Sequence, residues 1–211
     1  MTTTPDTPTP ASADGPAADG RGSFMHVVRA ACATPAGRSD MRRGLNIVLA
    51  DLEHPTGNSG QSRWPLYTHL MAAGYRPPAT AAAELPHLLV AALYAVYDAP
   101  NPRMSSTTTL PAPALFKPWH NLGWSFATAA HRGVMNQDNA TGTLGYLAEL
   151  DQTTLLREIP AVVARLRSAS IPITWTLLLA DLLRWRDQSA QVRLDWARAF
   201  HNTRSNEETS K

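Results

Sequence analysis

Cysteine is nearly absent from this 211-residue chain. Cys32 stands alone, which excludes an internal disulfide and any cysteine-based zinc site, and nothing in that count calls for an oxidising compartment. The expected location is the reducing cytoplasm. Long apolar runs are lacking too. The most apolar stretch, Leu85 to Tyr97, contains Pro86 and His87 and falls short of the roughly 20 apolar residues that a membrane-spanning helix needs. The first residues lack the charged-then-apolar order of a secretory signal. No run alternates with period two as a strand would, and no repeat of about 20 to 50 residues recurs.

Lysine is the other scarcity. Lys117 and Lys211 are the only two, and every other cationic residue apart from histidine is arginine. Arginine's planar fork suits phosphate and base edges, although a GC-rich genome would also enrich it. The formal net charge is only +2, so attraction of a polyanion has to come from a local patch. Placement therefore carries more information than abundance.

Residues 1–22 are mainly Thr, Pro, Ala, Asp and Gly with no large apolar residue after Met1, and read as a disordered tail. Order is expected from Ser23, with Phe24, Val27, Val28 and Ala31 on one helical face and Pro35-Ala36-Gly37 ending the run. A second helix is expected from Ser39 as N-cap, carrying Met41, Leu45, Val48, Leu49 and Leu52. Helices follow at Trp64 to Ala73, closed by Gly74, and at Ala81 to Asp98, with Pro86 near enough to its start to be tolerated.

Residues 99–118 are rich in Pro, Ser and Thr and read as a long loop. Further helices are expected at Asn121 to Arg132, Thr143 to Leu150 and Thr153 to Ser168, the last kinked or restarted at Pro160. Two final stripes, Trp175-Leu178-Leu179-Leu182-Leu183 and Val192-Trp196-Ala199-Phe200, predict an antiparallel helix pair joined near Asp187 to Ala190. The expected fold is all-α, a two-lobed helical bundle. Its expected divisions are a tail at 1–22, an N-terminal helical lobe at 23–135, a C-terminal helical bundle at 136–204 and a tail at 205–211.

Catalytic chemistry finds little footing. The seven histidines never fall at the His-x-x-x-His spacing that places two metal ligands on one helical face. Gly142-Thr143-Leu144-Gly145 lacks the preceding strand and the lysine of a phosphate-binding loop and reads as a helix boundary. The carboxylates are scattered, Asp181 on the flank of an apolar helix among them. A non-enzyme without metal or cofactor is expected.

The arginines are better placed for binding. Arg42 and Arg43 lie off the Met41-Leu45-Leu49 stripe and near the expected start of their helix, where the macrodipole disfavours cations, so an external anion, a pairing with Asp40 or simple solvation of a surface face is implied. Arg184 points away from its leucine stripe, Arg186 lies in line with the stripe but at the helix end, where it can snorkel outward, and Arg193 and Arg198 flank the Trp196-Phe200 face. Arg132, at a helix C-terminus that favours cations anyway, and Arg165 and Arg167, around Leu166, are further candidates. Among six tryptophans, Trp175, Trp185 and Trp196 belong to core stripes, and Trp119, beside Lys117 and His120, is the one to consider for base stacking.

The order Met41-Arg-Arg-Gly-Leu45, Trp64 and the Leu85 to Asp98 helix resembles the CasB small subunit of the CRISPR Cascade surveillance complex. So do Leu122-Gly-Trp-Ser-Phe126 and the series from Ile171-Pro-Ile-Thr-Trp175 through Leu178-Leu-Ala-Asp-Leu182 to Trp196-Ala-Arg-Ala-Phe200, so that the likeness spans Phe24 to His201. It implies an all-helical, two-lobed, non-enzymatic subunit of a type I-E complex, a head-to-tail dimer lying along the CRISPR RNA. Its implied partners are the backbone subunits, the large subunit, and the target and displaced DNA strands of the R-loop. The matched arginines are Arg42, Arg43, Arg184 and Arg186 and, less closely, Arg132. Where the family often has an Arg-Arg-Phe-like pair this chain reads Thr141-Gly-Thr-Leu-Gly-Tyr146, so a basic contact there is missing or displaced. The alternative class is a helical protein-interaction adapter whose arginines serve only solvation and salt bridges.

Overall fold

The structure, a computed structural model, describes residues 20–54, 62–99 and 119–208; most of the expected N-terminal tail and the loop at 100–118 lie outside them. Eight helices and no strands are found among the described residues: α1 (Gly20–Ala31), α2 (Pro35–Glu53), α3 (Trp64–Ala72), α4 (Ala81–Tyr97), α5 (Leu122–His131), α6 (Gln137–Glu149), α7 (Gln152–Ser168) and α8 (Trp175–Glu208). The expected all-α bundle is what forms.

Several boundaries differ from the sequence reading: α1 starts at Gly20 and α8 reaches Glu208, both inside the expected tails, and α2 and α6 start earlier for local reasons. α2 begins at Pro35, because Thr34 is its N-cap and accepts from the Gly37 N–H at 3.0 Å. Proline at the first helical position costs nothing, since its missing N–H would be unsatisfied there anyway. Pro35 thus opens a helix instead of closing one, and Ser39 lies inside it. α6 likewise starts at Gln137, capped by Asn136, so Gly142 to Gly145 is helix interior and not a boundary. α7 runs unbroken through Pro160.

α8 is a helix pair. Its backbone leaves helical geometry at Gln188 (φ −135°, ψ 32°). The Trp196 indole N–H nevertheless donates to Asp181 at 2.7 Å, although fifteen residues of straight helix would set them about 22 Å apart, at about 1.5 Å each. The chain therefore reverses at Gln188, and the Trp185 and Trp196 rings meet at 5.0 Å. Both arms pack under one core that also takes Phe24, Met41, Leu66, Leu93, Phe126 and Ile159.

Glycines permit two close approaches between packed helices. A Cβ at Gly44 would overlap the Leu66 side chain, and one at Gly123 would overlap the Trp196 backbone carbonyl. The glycines of the Arg-Arg-Gly-Leu and Leu-Gly elements are thus required by α2 lying on α3 and α5 on α8. α5, read from sequence with the N-terminal lobe, makes its most extensive packing with α8.

Candidate nucleic-acid interface

The α2 arginines stand about two turns inside their helix, because α2 starts at Pro35. The macrodipole therefore bears little on them, its influence fading within the first turn. Arg42 donates from Nε to the Ala95 carbonyl at 2.8 Å, tying α2 to the end of α4. Arg43 pairs with Asp40, as one sequence alternative held, yet its side chain is 73% exposed. Asp40 also accepts from His69 Nε2 at 2.8 Å. That hydrogen bond, ahead of the one from Arg43, holds the Asp40 carboxyl below its ordinary range.

The α8 arginines divide in the same way. Asp181 is buried beneath the reversal, and burial raises its pKa against the opposing pull of Trp196 and Arg184. Arg184 supplies its counter-charge at 2.7 Å and reaches Asp195 at 3.6 Å. Arg193 lies over the Trp185 ring at 5.6 Å, a cation–π contact. Arg186 and Arg198 remain open: their side chains are 62% and 60% exposed, with only long contacts to Asp187 at 4.0 Å and Asp195 at 3.9 Å. Exposed pairs of that kind contribute little and yield readily to a stronger anion. Arg132 is exposed where it caps the C-terminus of α5.

No ion pair or hydrogen bond among the described residues joins the α2 arginines to those of α8. Arg43, Arg186 and Arg198 offer open guanidinium groups, whereas Arg42, Arg184 and Arg193 each have an internal task. Trp119 is 51% exposed and edges a groove of about 370 Å³ shared with Asn121, Asp181, Arg184, Asp195 and Arg198. Trp175, Trp185 and Trp196 are buried, as their stripes required.

Sequence reasoning missed several structural arginines. Arg63 bridges Asp51 at 2.5 Å and Glu84 at 3.1 Å, while the Tyr67 hydroxyl donates to Glu84 at 2.7 Å, locking α2, α3 and α4 together. Arg167, considered above as a candidate contact, is drawn inward by Asp98 at 2.5 Å and donates to the Ile171 carbonyl at 2.9 Å. Asp98 in turn accepts from the Trp175 indole at 2.6 Å. Arg157 donates to the Leu52 carbonyl at the end of α2. Partners so far apart in sequence leave no periodic trace. Among the described residues no three His, Cys, Asp or Glu side chains cluster as metal ligands. No helix there is long and apolar enough to cross a membrane.

Fold and site together define an all-helical protein with buried, arginine-bridged helix junctions and open arginines on α2 and α8. The family model for CRISPR-associated protein Cse2 matches residues 38–201, and the chain belongs to that family. The resemblance read from the sequence is thereby borne out. Solved structures agree in fold: M. ruber CasB at 24% identity and a TM-score of 0.66, covering 90% of this chain and 97% of that one. A chain of a CRISPR RNA-guided surveillance complex matches at 24% identity and a TM-score of 0.64, with coverage of 90% and 97%. A Cse2-family protein from Thermus thermophilus matches at 19% identity and 0.59, with 86% and 97% covered. No curated protein sequence matches the chain.

Proposed function

We propose that the chain is the non-catalytic small subunit of a type I-E CRISPR surveillance complex in the cytoplasm, where it holds nucleic-acid backbone and stabilises guide-directed DNA binding in antiviral defence. The family match over residues 38–201 carries this reading, and the open guanidinium groups of Arg43, Arg186 and Arg198 support it. Exchange of a DNA duplex for an RNA–DNA hybrid is nearly balanced in energy, so a few phosphate contacts tip it. Sequence reading is left to the CRISPR RNA. The partners in this reading are that RNA, the target and displaced DNA strands, the backbone and large subunits, and a second copy packed head to tail. The contact set comprises Arg42, Arg43, Arg132, Arg184, Arg186, Arg193 and Arg198, with the open side chains of Arg43, Arg186 and Arg198 contributing most.

The adapter reading draws on a specific observation: Arg42 and Arg184 already have partners inside the chain. Anisotropy titrations of the purified chain with single- and double-stranded DNA, at about 50 and 200 mM salt, separate the two. Phosphate binding releases counterions and must weaken steeply over that range. Absent or salt-insensitive binding favours the adapter.

A further inference from the structure

We infer that the seam between α6 and α7 is an anchor pocket for a neighbouring protein subunit, receiving one leucine, methionine or phenylalanine side chain that has an aspartate or glutamate close beside it. The inference rests on reading the chain as part of a protein assembly.

α6 and α7 are consecutive in the chain, yet both pack on α5 more than on each other. A cleft of about 140 Å³ remains between them. Phe126, Met135 and Leu166, all buried, form its floor, and Thr143, Ala161 and Val162 form its walls. A cavity of about 150 Å³ lined by such residues accepts a benzene ring, so this one suits a single large side chain and is too small for a whole helix face. A phosphodiester has no place in a cleft lined so largely by carbon.

The rim fixes the charge of the occupant. Arg165 stands exposed at the mouth and forms no ion pair among the described residues. An apolar anchor carrying a carboxylate nearby would fill the seam and meet that guanidinium together, the arrangement in which a charged contact adds specificity to a buried hot spot. Nothing among the described residues calls for the bareness of α6 next to it. Gly142 and Gly145 weaken the helix, a Cβ on either would meet nothing within 4 Å, and neither takes a positive φ. Exposed Tyr146 lies about 60° round the helix from Thr143, on the same open side.

The test uses the full chain co-expressed with the other protein subunits of its own CRISPR locus. Ala161→Trp fills the seam from an exposed position, and Arg165→Glu reverses the rim without touching the core. Each is expected to lower co-purification of the chain with those subunits about tenfold with helicity unchanged, and Ala161→Trp also leaves the DNA affinity of the isolated chain unchanged. A photo-crosslinking residue at position 161 should label a subunit peptide in which Leu, Met or Phe lies beside Asp or Glu. Wild-type co-purification matched by both variants overturns the pocket alone, as does a crosslink to nucleic acid, to a second copy of the chain or to a basic segment. Failure of the wild type to co-purify overturns the assembly reading and the pocket with it.

Discussion

Arg184 was a candidate DNA contact from sequence, and its geometry makes it first a stabiliser of the fold. Arg184→Ala leaves Asp181 buried with its counter-charge gone, held only by the Trp196 indole. Breaking a fully buried ion pair costs about 3 to 5 kcal/mol. Arg184 is 30% exposed, so water offsets part of the loss, and about 2 kcal/mol is expected at pH 7. For a chain of this length that lowers Tm by about 4 to 8 °C. The pH dependence follows from the sign of the shift. Burial raises the Asp181 pKa above its ordinary value of 3.8, so folding favours the protonated form. Its contribution to stability is fully present below 3.8 and is lost as pH rises through the folded-state value. Arg184→Ala raises that value further, so its loss is larger and extends to higher pH. Adding Asp181→Asn should recover much of the difference, since the amide oxygen still accepts from Trp196. Urea denaturation of the wild type and of the single and double variants, at pH 5 and pH 7, measures all of this. An Arg184→Ala variant within about 0.5 kcal/mol of the wild type at pH 7, or a double variant no more stable than the single, refutes the reasoning.

Gly123→Ala must push α5 away from the rigid backbone of α8 and should cost about 3 kcal/mol by thermal unfolding. Gly44→Ala meets only the Leu66 side chain and should cost less, so the reverse order would contradict the packing described. Trp119→Ala should reduce single-stranded DNA affinity about tenfold with Tm unchanged, as expected for one stacked base on a half-exposed indole; equal affinity by anisotropy excludes stacking there.

Periodic features of this fold were legible in the sequence. The Trp175 and Trp196 stripes predicted a reversing helix pair, and the near-continuous helical run of α8 through Gln188 does not disguise it, because the Asp181–Trp196 hydrogen bond requires the turn. Punctuation was read less well. Proline and glycine each have two meanings: Pro35 starts a helix, Pro160 lies within one, and Gly142 and Gly145 sit in a helix interior. The arginines show the same limit at longer range. Helical periodicity tells which side of a helix a residue occupies, and so separated Arg43 from the core; Arg186, in line with its leucine stripe, was placed outward only by its position at the helix end. It says nothing about Arg63 finding Glu84 or Arg167 finding Asp98, since those pairs exist only once the helices are packed.

In the proposed function, open arginines on α2 and α8 hold nucleic-acid backbone within the surveillance complex. Target-DNA affinity of the complex reconstituted with wild-type chain or with the Arg43→Ala, Arg186→Ala, Arg198→Ala triple variant, measured across a salt series, tests it most directly. Three lost phosphate contacts, at about 0.7 each on a single strand and about 0.9 each on a duplex, should flatten the slope of log affinity against log salt by about 2 to 3, alike for every target sequence. An unchanged slope, or a loss confined to particular sequences, would contradict the account.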